Sequence, residues 1–153
     1  MNPVFLSIGS NVAPSRNIPE CLKLLRENFT VLKISPAYET DPVGPAGEKK
    51  FWNLAASLDC GLEKKELVEK LREIEASLGR RREAGNKFAP REIDIDILPQ
   101  PGYQDHAFIM IPLAEIAPQA QDAETGKTFQ ELAAALAPGT ARSMRKVLPG
   151  RAD

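Results

Sequence analysis

From Ile93 to Ile97 the chain reads Ile-Asp-Ile-Asp-Ile, a strict alternation inside the longer stretch Ala89–Leu98. Period two with β-branched residues fits an extended strand and not a helix, because a strand sends successive side chains to opposite faces. Ile93, Ile95 and Ile97 then point into a core, and Asp94 and Asp96 stand together on the other face. Neighbouring carboxylates repel one another unless solvent or a cation offsets the repulsion. Hard cations such as Mg²⁺ take one or two carboxylates from protein and complete their shell with water and substrate phosphates. A solvated strand face would carry the same two aspartates, so the neighbourhood has to decide between the readings.

At 153 residues the chain is long enough to bury a core, and residues 1–153 read as one domain. A formal net charge of −1 gives no global pull toward nucleic acid or an anionic membrane. The charge is unevenly placed, however. Arg80, Arg81, Arg82, Lys87 and Arg91 crowd just before the acidic strand. Cys21 and Cys60 lack metal-type spacing and read as reduced thiols, with Cys21 in an apolar helical pattern. No leader peptide or membrane-length apolar run is visible, so a soluble cytoplasmic protein is expected, a monomer by default.

In chain order, Val4–Ile8 is an apolar strand that stops at the turn-forming Gly9-Ser10-Asn11. Asn17 is placed to cap a helix with Pro19 in its first turn and Ile18, Cys21, Leu22 and Leu25 at helical spacing, ending near Asn28. Val31–Tyr38 reads as a second strand interrupted by Pro36, and therefore an edge or an end. Thr40 to Gly47 is a Pro/Gly loop. In a strand from Phe51 to Cys60, Trp52, Leu54, Ala56, Leu58 and Cys60 share one face, and Phe51, Asn53, Ala55 and Ser57 the other. An aromatic and an amide beside a loop suit one wall of a pocket for a flat polar heterocycle, although a half-exposed strand would look the same. Glu63–Leu78 is a helix with Leu67, Leu71, Ile74 and Leu78 as its stripe and Gly79 as its stop. After the acidic strand, Phe108–Ile111 reads as a buried strand, Pro112–Ile116 as a helical turn and Phe129–Leu136 as a short helix. Met144–Leu148 reads as a last strand and Pro149–Asp153 as a frayed tail. The order β-α-β-β-α-β implies an α+β, ferredoxin-like sandwich: a mostly antiparallel sheet with helices on one face and extra C-terminal elements.

Six segments in order carry a resemblance. They are Gly9-Ser10-Asn11, Tyr38 to Pro45, Phe51-Trp52-Asn53, Gly79 to Arg82, Pro90 to Leu98 and Phe108 to Pro118. Together they resemble the 6-hydroxymethyl-7,8-dihydropterin pyrophosphokinases of folate biosynthesis over about Val4–Leu148. The resemblance implies transfer of the diphosphate of ATP to a pterin alcohol with release of AMP. It makes Asp94 and Asp96 the ligands of two Mg²⁺ ions and gives Arg82 and Arg91 catalytic contacts to the nucleotide phosphates, with Arg80 nearby. It assigns Phe51 and Phe108 to the two aromatics that sandwich the pterin, Asn53 to reading its edge, and Thr40 and Val43 to contacts around the ring. Glu75, Phe88, Ile97, Gln100 and His106 fall at positions on the nucleotide side. The loop Arg80–Arg91 matches a lid whose closure would exclude water.

The chain also departs from that pattern. A hairpin usual after the acidic strand is missing, since Leu98 runs straight into Pro99-Gln100-Pro101. Gln100 replaces a nucleotide-contacting histidine, His106 an arginine, Phe88 a tryptophan, Ala89 a glycine, and Arg72 a glutamine. Two rivals follow: a degenerate pterin-binding relative with weak or no turnover, and a nucleotidyltransferase built on Gly-Ser and D-x-D. In the latter the two signals lie close in sequence, whereas here most of the first half separates Gly9-Ser10 from Asp94.

Overall fold

In a computed structural model, residues 3–40, 50–79, 92–139, 144–148 and 151–152 are described. The elements are β1 (Pro3–Ser10), α1 (Pro14–Asn28), β2 (Thr30–Ile34), β3 (Ala37–Thr40), β4 (Phe51–Asp59), α2 (Lys64–Ser77), β5 (Asp94–Leu98), α3 (Ala107–Ile116), α4 (Phe129–Leu136), β6 (Met144–Leu148) and β7 (Arg151–Ala152). They form a seven-stranded sheet in the order β5-β1-β4-β2-β7, with β3 also on β4 and β6 on β3. Every pairing in it is antiparallel. With β2 and β3 counted as one broken strand, the core is the ferredoxin-like order, and the expected α+β class holds.

The break falls at Pro36, which has no N–H to give to a ladder. Ser35 takes over there: its N–H donates to Ala55 O at 2.8 Å and its Oγ accepts from Ala55 N–H at 2.8 Å. The single strand expected over Val31–Tyr38 is thus two strands. Neither is an edge, since β7 flanks β2 and β6 flanks β3.

The alternation in β5 works as the sequence implies. Ile93 and Ile95 are buried in a core with Leu6, Ile8, Leu54, Ala56 and Leu58 from the sheet and Ile18, Leu25, Leu67, Leu71 and Ile74 from α1 and α2. The opposite face of the sheet is covered as well, where Ala55 and Leu98 pack with Met110, Leu113, Phe129 and Ala133 from α3 and α4. Helices therefore lie on both faces, not one.

Four local expectations are corrected. Phe108–Ile111 is helical, part of α3, which carries Pro112 within it. An unbroken apolar run has no period of its own, and the buried residues Met110, Leu113 and Ile116 recur every three, as a helix packed on a sheet requires. Helix α1 starts at Pro14 after Ala13, so Pro19 lies inside it and Asn17 is not the cap. Asn17 Nδ2 instead donates to Val12 O at 2.6 Å. Gly9 and Ser10 belong to β1 and not to a turn. The tail expected to fray supplies β7, antiparallel to β2.

Candidate active site

Register across the sheet assembles the site. On β1, Gly9 lies opposite Asp94 of β5 on one side and Asn53 of β4 on the other, and Asn53 in turn lies opposite Tyr38 of β3. One row along, Ser7 lies between Asp96 and Ala55. Directly paired residues project from the same face, so both aspartates share a face with Asn53, and with Phe51 two residues before it. This is also the face that α3 and α4 cover further along the strands, through Leu98, Phe5 and Ala55. Phe108, half-buried, is the second residue of α3. Its ring lies 5.2 Å from that of His106 at a tilt of 34°.

Asp94 and Asp96 are both half-buried. Burial first, and then the charge of Asp94, push the Asp96 carboxyl above the ordinary range. A hydrogen bond from Gln100 and the charge of Arg72 act in the opposite sense. The main chain between the two acids is held from outside the sheet. Glu75 on α2 is only 2 % exposed; its Oε2 accepts from Ile95 N–H at 2.7 Å and its Oε1 from Arg72 at 3.0 Å. β5 is the edge of the sheet on that side, so Glu75 supplies an acceptor that a further strand would otherwise provide.

The amide of Asn53 is similarly fixed. It is 6 % exposed, and its Nδ2 donates to Thr40 Oγ1 at 3.1 Å. The Thr40 hydroxyl donates in turn to Phe51 O at 3.5 Å. Trp52, on the other face, donates its Nε1–H to Glu39 Oε2 at 3.2 Å.

Of the residues expected at the site, Thr40, Phe51, Asn53, Asp94 and Asp96 come together around this face. Gln100 is exposed, and its amide favours the charged form of the Asp96 carboxyl. His106 is exposed and sits at the N-terminus of α3. The side chain of Ile97 packs against the α1/α2 core, away from the acid pair. Val43, Arg80, Arg82, Phe88 and Arg91, with the loop that holds the last four, lie outside the described residues. Two contributors belong to the Gly9-Ser10-Asn11 segment, whose sequence does not disclose how each acts. One is Ser10, fully buried, whose hydroxyl reaches the carbonyls of Val12 and Glu92 and ties the end of β1 to the entry of β5. The other is Gly9, which separates the acids from the amide; the Gly-Ser pair looks like a turn, and only the strand pairing reveals its place.

Among the described residues no group of three or more His, Cys, Asp or Glu gathers to hold a metal. Two carboxylates on one face, with oxygen ligands to come from phosphate and water, are what Mg²⁺ ordinarily takes from a protein. The donor set fits that ion and does not fit a structural zinc.

Residues 5–118 match the family model described as 7,8-dihydro-6-hydroxymethylpterin-pyrophosphokinase. The chain is 34 % identical over 148 residues to the 2-amino-4-hydroxy-6-hydroxymethyldihydropteridine pyrophosphokinase of Bacillus subtilis, covering 85 % of this chain and 87 % of that protein. It is 33 % identical to the like-named protein of Pseudomonas aeruginosa, over 86 % of this chain and 90 % of the relative. With the like-named protein of Methylorubrum extorquens the identity is 33 %, over 90 % and 96 %.

Proposed function

The chain belongs to the 7,8-dihydro-6-hydroxymethylpterin-pyrophosphokinase family, and from that membership we propose how its residues divide the reaction. It is an ATP-dependent transferase of folate biosynthesis, moving the diphosphate of ATP onto the hydroxymethyl group of 6-hydroxymethyl-7,8-dihydropterin and releasing AMP. The alcohol oxygen bonds to the β-phosphorus as the bond from that phosphorus to the α–β bridging oxygen breaks. AMP leaves with the bridging oxygen, and the hydroxyl proton is released. Such transfers leave the protein little covalent work; it positions the reactants and stabilises charge.

In this reading Phe51 and Phe108 hold the pterin ring between them, Asn53 and Thr40 read its polar edge, and Val43 contacts it from the loop. Asp94 and Asp96 hold two Mg²⁺ ions, which when bound offset the charge of the phosphates. Arg82 and Arg91 reach the same phosphates as planar, always-charged donors, with Arg80 beside them. Phe88, Gln100 and His106 lie on the nucleotide side, and Ile97, whose side chain packs on the α1/α2 core, joins them through its main chain. Glu75 also lies on the nucleotide side and, engaged by Ile95 and Arg72, brackets β5. One domain, acting as a monomer in the cytoplasm, completes the reading. Leu62, at 37 %, is the one large apolar residue exposed among those described, which supports a monomer. The free thiols Cys21 and Cys60, both buried, suit a reducing compartment. Among the described residues no helix is long and apolar enough to cross a membrane.

The observation that supports this division is the row Asp94–Gly9–Asn53, in which a carboxylate and an amide lie on one face, two strands apart. AMP formation should require both the dihydropterin and Mg²⁺, and Asp94→Ala or Asp96→Ala should lower it at least 100-fold with folding intact. Undiminished AMP formation by those variants would remove the acids from the mechanism. Release of diphosphate in place of AMP would mark nucleotidyl transfer.

A further inference from the structure

Gly9 is the last residue but one of β1, paired on both sides, to Asn53 of β4 and to Asp94 of β5, and a glycine inside a strand often marks a close approach by another group. Its backbone is not left-handed, so conformational freedom does not explain it. What the position lacks is room. A Cβ built there would lie 2.8 Å from Asn53 Oδ1, far inside contact distance, and the next nearest atom is Trp52 O at 3.7 Å. Asn53 cannot yield freely, because it is buried and its Nδ2 is bonded to Thr40 Oγ1. Any side chain at Gly9 therefore pushes the Asn53 amide out of its place.

We infer that Gly9 is a positioning residue for the pterin: its missing side chain fixes where the Asn53 amide sits and keeps the floor clear between that amide and Asp94. Strands in a sheet are about 4.8 Å apart, so the acid and the amide stand roughly 10 Å apart with Gly9 between them. Along that lane the substrate's hydroxymethyl group has to extend from the ring toward the phosphates. The inference rests on the assignment of Asn53 to the pterin, and its effect should fall on the pterin and not on the nucleotide.

The test is a double-mutant cycle of Gly9→Ala and Asn53→Ala. It reads affinity for 6-hydroxymethyl-7,8-dihydropterin at saturating Mg²⁺ and non-hydrolysable ATP analogue, affinity for the analogue itself, and Tm. Gly9→Ala should weaken the dihydropterin roughly tenfold or more, the effect of losing about one well-placed hydrogen bond, and leave analogue binding within about twofold. In ordinary strand backbone, alanine for glycine is neutral or stabilising once nothing obstructs it. Gly9→Ala should therefore lower Tm when Asn53 is present and leave it unchanged or raised when residue 53 is alanine. Wild-type pterin affinity in Gly9→Ala, or an equal fall in Tm in both backgrounds, would overturn the proposal. If Gly9→Ala does not fold, a folded double variant supports the clash, and a double variant that also fails to fold refutes it. Wild-type pterin affinity in Asn53→Ala would instead sink the assignment of the amide, and with it the pterin half of this inference, while the Tm arm still decides the contact.

Discussion

Asp122 is 3 % exposed and accepts from the Tyr103 hydroxyl at 2.8 Å, from Thr125 N–H at 2.9 Å and from Thr125 Oγ1 at 2.7 Å. Burial works against its charge, but the bonds from Thr125 and Tyr103 outweigh it and hold the carboxyl below its usual range. A carboxyl depressed in the folded state adds stability above its unfolded pKa and loses it as the pH falls through the folded value. Asp122→Asn should therefore lower stability at neutral pH by about 1–3 kcal/mol, the range for bonds to a buried charged group. The gap to the parent should close progressively below about pH 4, as urea titrations across pH would show. A gap that persists unchanged at pH 2 would assign the effect to packing. Residues of this kind are hard to read in a sequence: Asp94 and Asp96 announce themselves through local alternation, whereas Asp122 and Tyr103 meet only through the fold. Glu75 is the same case, because its partner Ile95 is on another element.

At the scale of elements, β5 bears the two aspartates of the proposed metal site and is held by three different devices. Its isoleucines anchor it in the core, Ser10 ties its entry to β1, and Glu75 closes its open edge. Removing that last acceptor by Glu75→Ala should cost about 1–3 kcal/mol for a buried N–H left without a partner, and should raise the Mg²⁺ concentration needed for half-maximal AMP formation. Glu75→Gln keeps an acceptor for Ile95 N–H and should recover most of both losses. If the glutamine variant is as impaired as the alanine one, the carboxylate's charge matters and the bracket does not. The strands and helices with a clear period were legible in the sequence for the reason that makes β5 so: one buried face forces the pattern. Helix α3 was not, because an apolar run lying between a sheet and α4 needs no polar face to mark its period. β7 was equally hidden, since two residues are too few to carry any pattern.

Across the molecule, β4 belongs to both cores. Leu54, Ala56 and Leu58 face α1 and α2, while Ala55 faces α3 and α4. The same strand bears Phe51 and Asn53 at its start, so the proposed pterin side of the site is built on the element that joins the two layers. The sequence disclosed the first layer through the β-α-β-β-α-β order but not the second, because the alternation in β4 looks like one buried and one half-exposed face until α3 and α4 close over it. A sheet shared in this way should make the layers unfold together. Leu54→Ala and Leu113→Ala, at positions almost fully buried on opposite faces, should each cost about 2–5 kcal/mol. In both variants the urea midpoint from Trp52 fluorescence, which reports the α1/α2 side, should coincide with that from far-UV circular dichroism. Two separated transitions in Leu113→Ala would mean that α3 and α4 form an independent cover, and that the half of the site carrying Phe108 can open without the half carrying Asn53 and the acids.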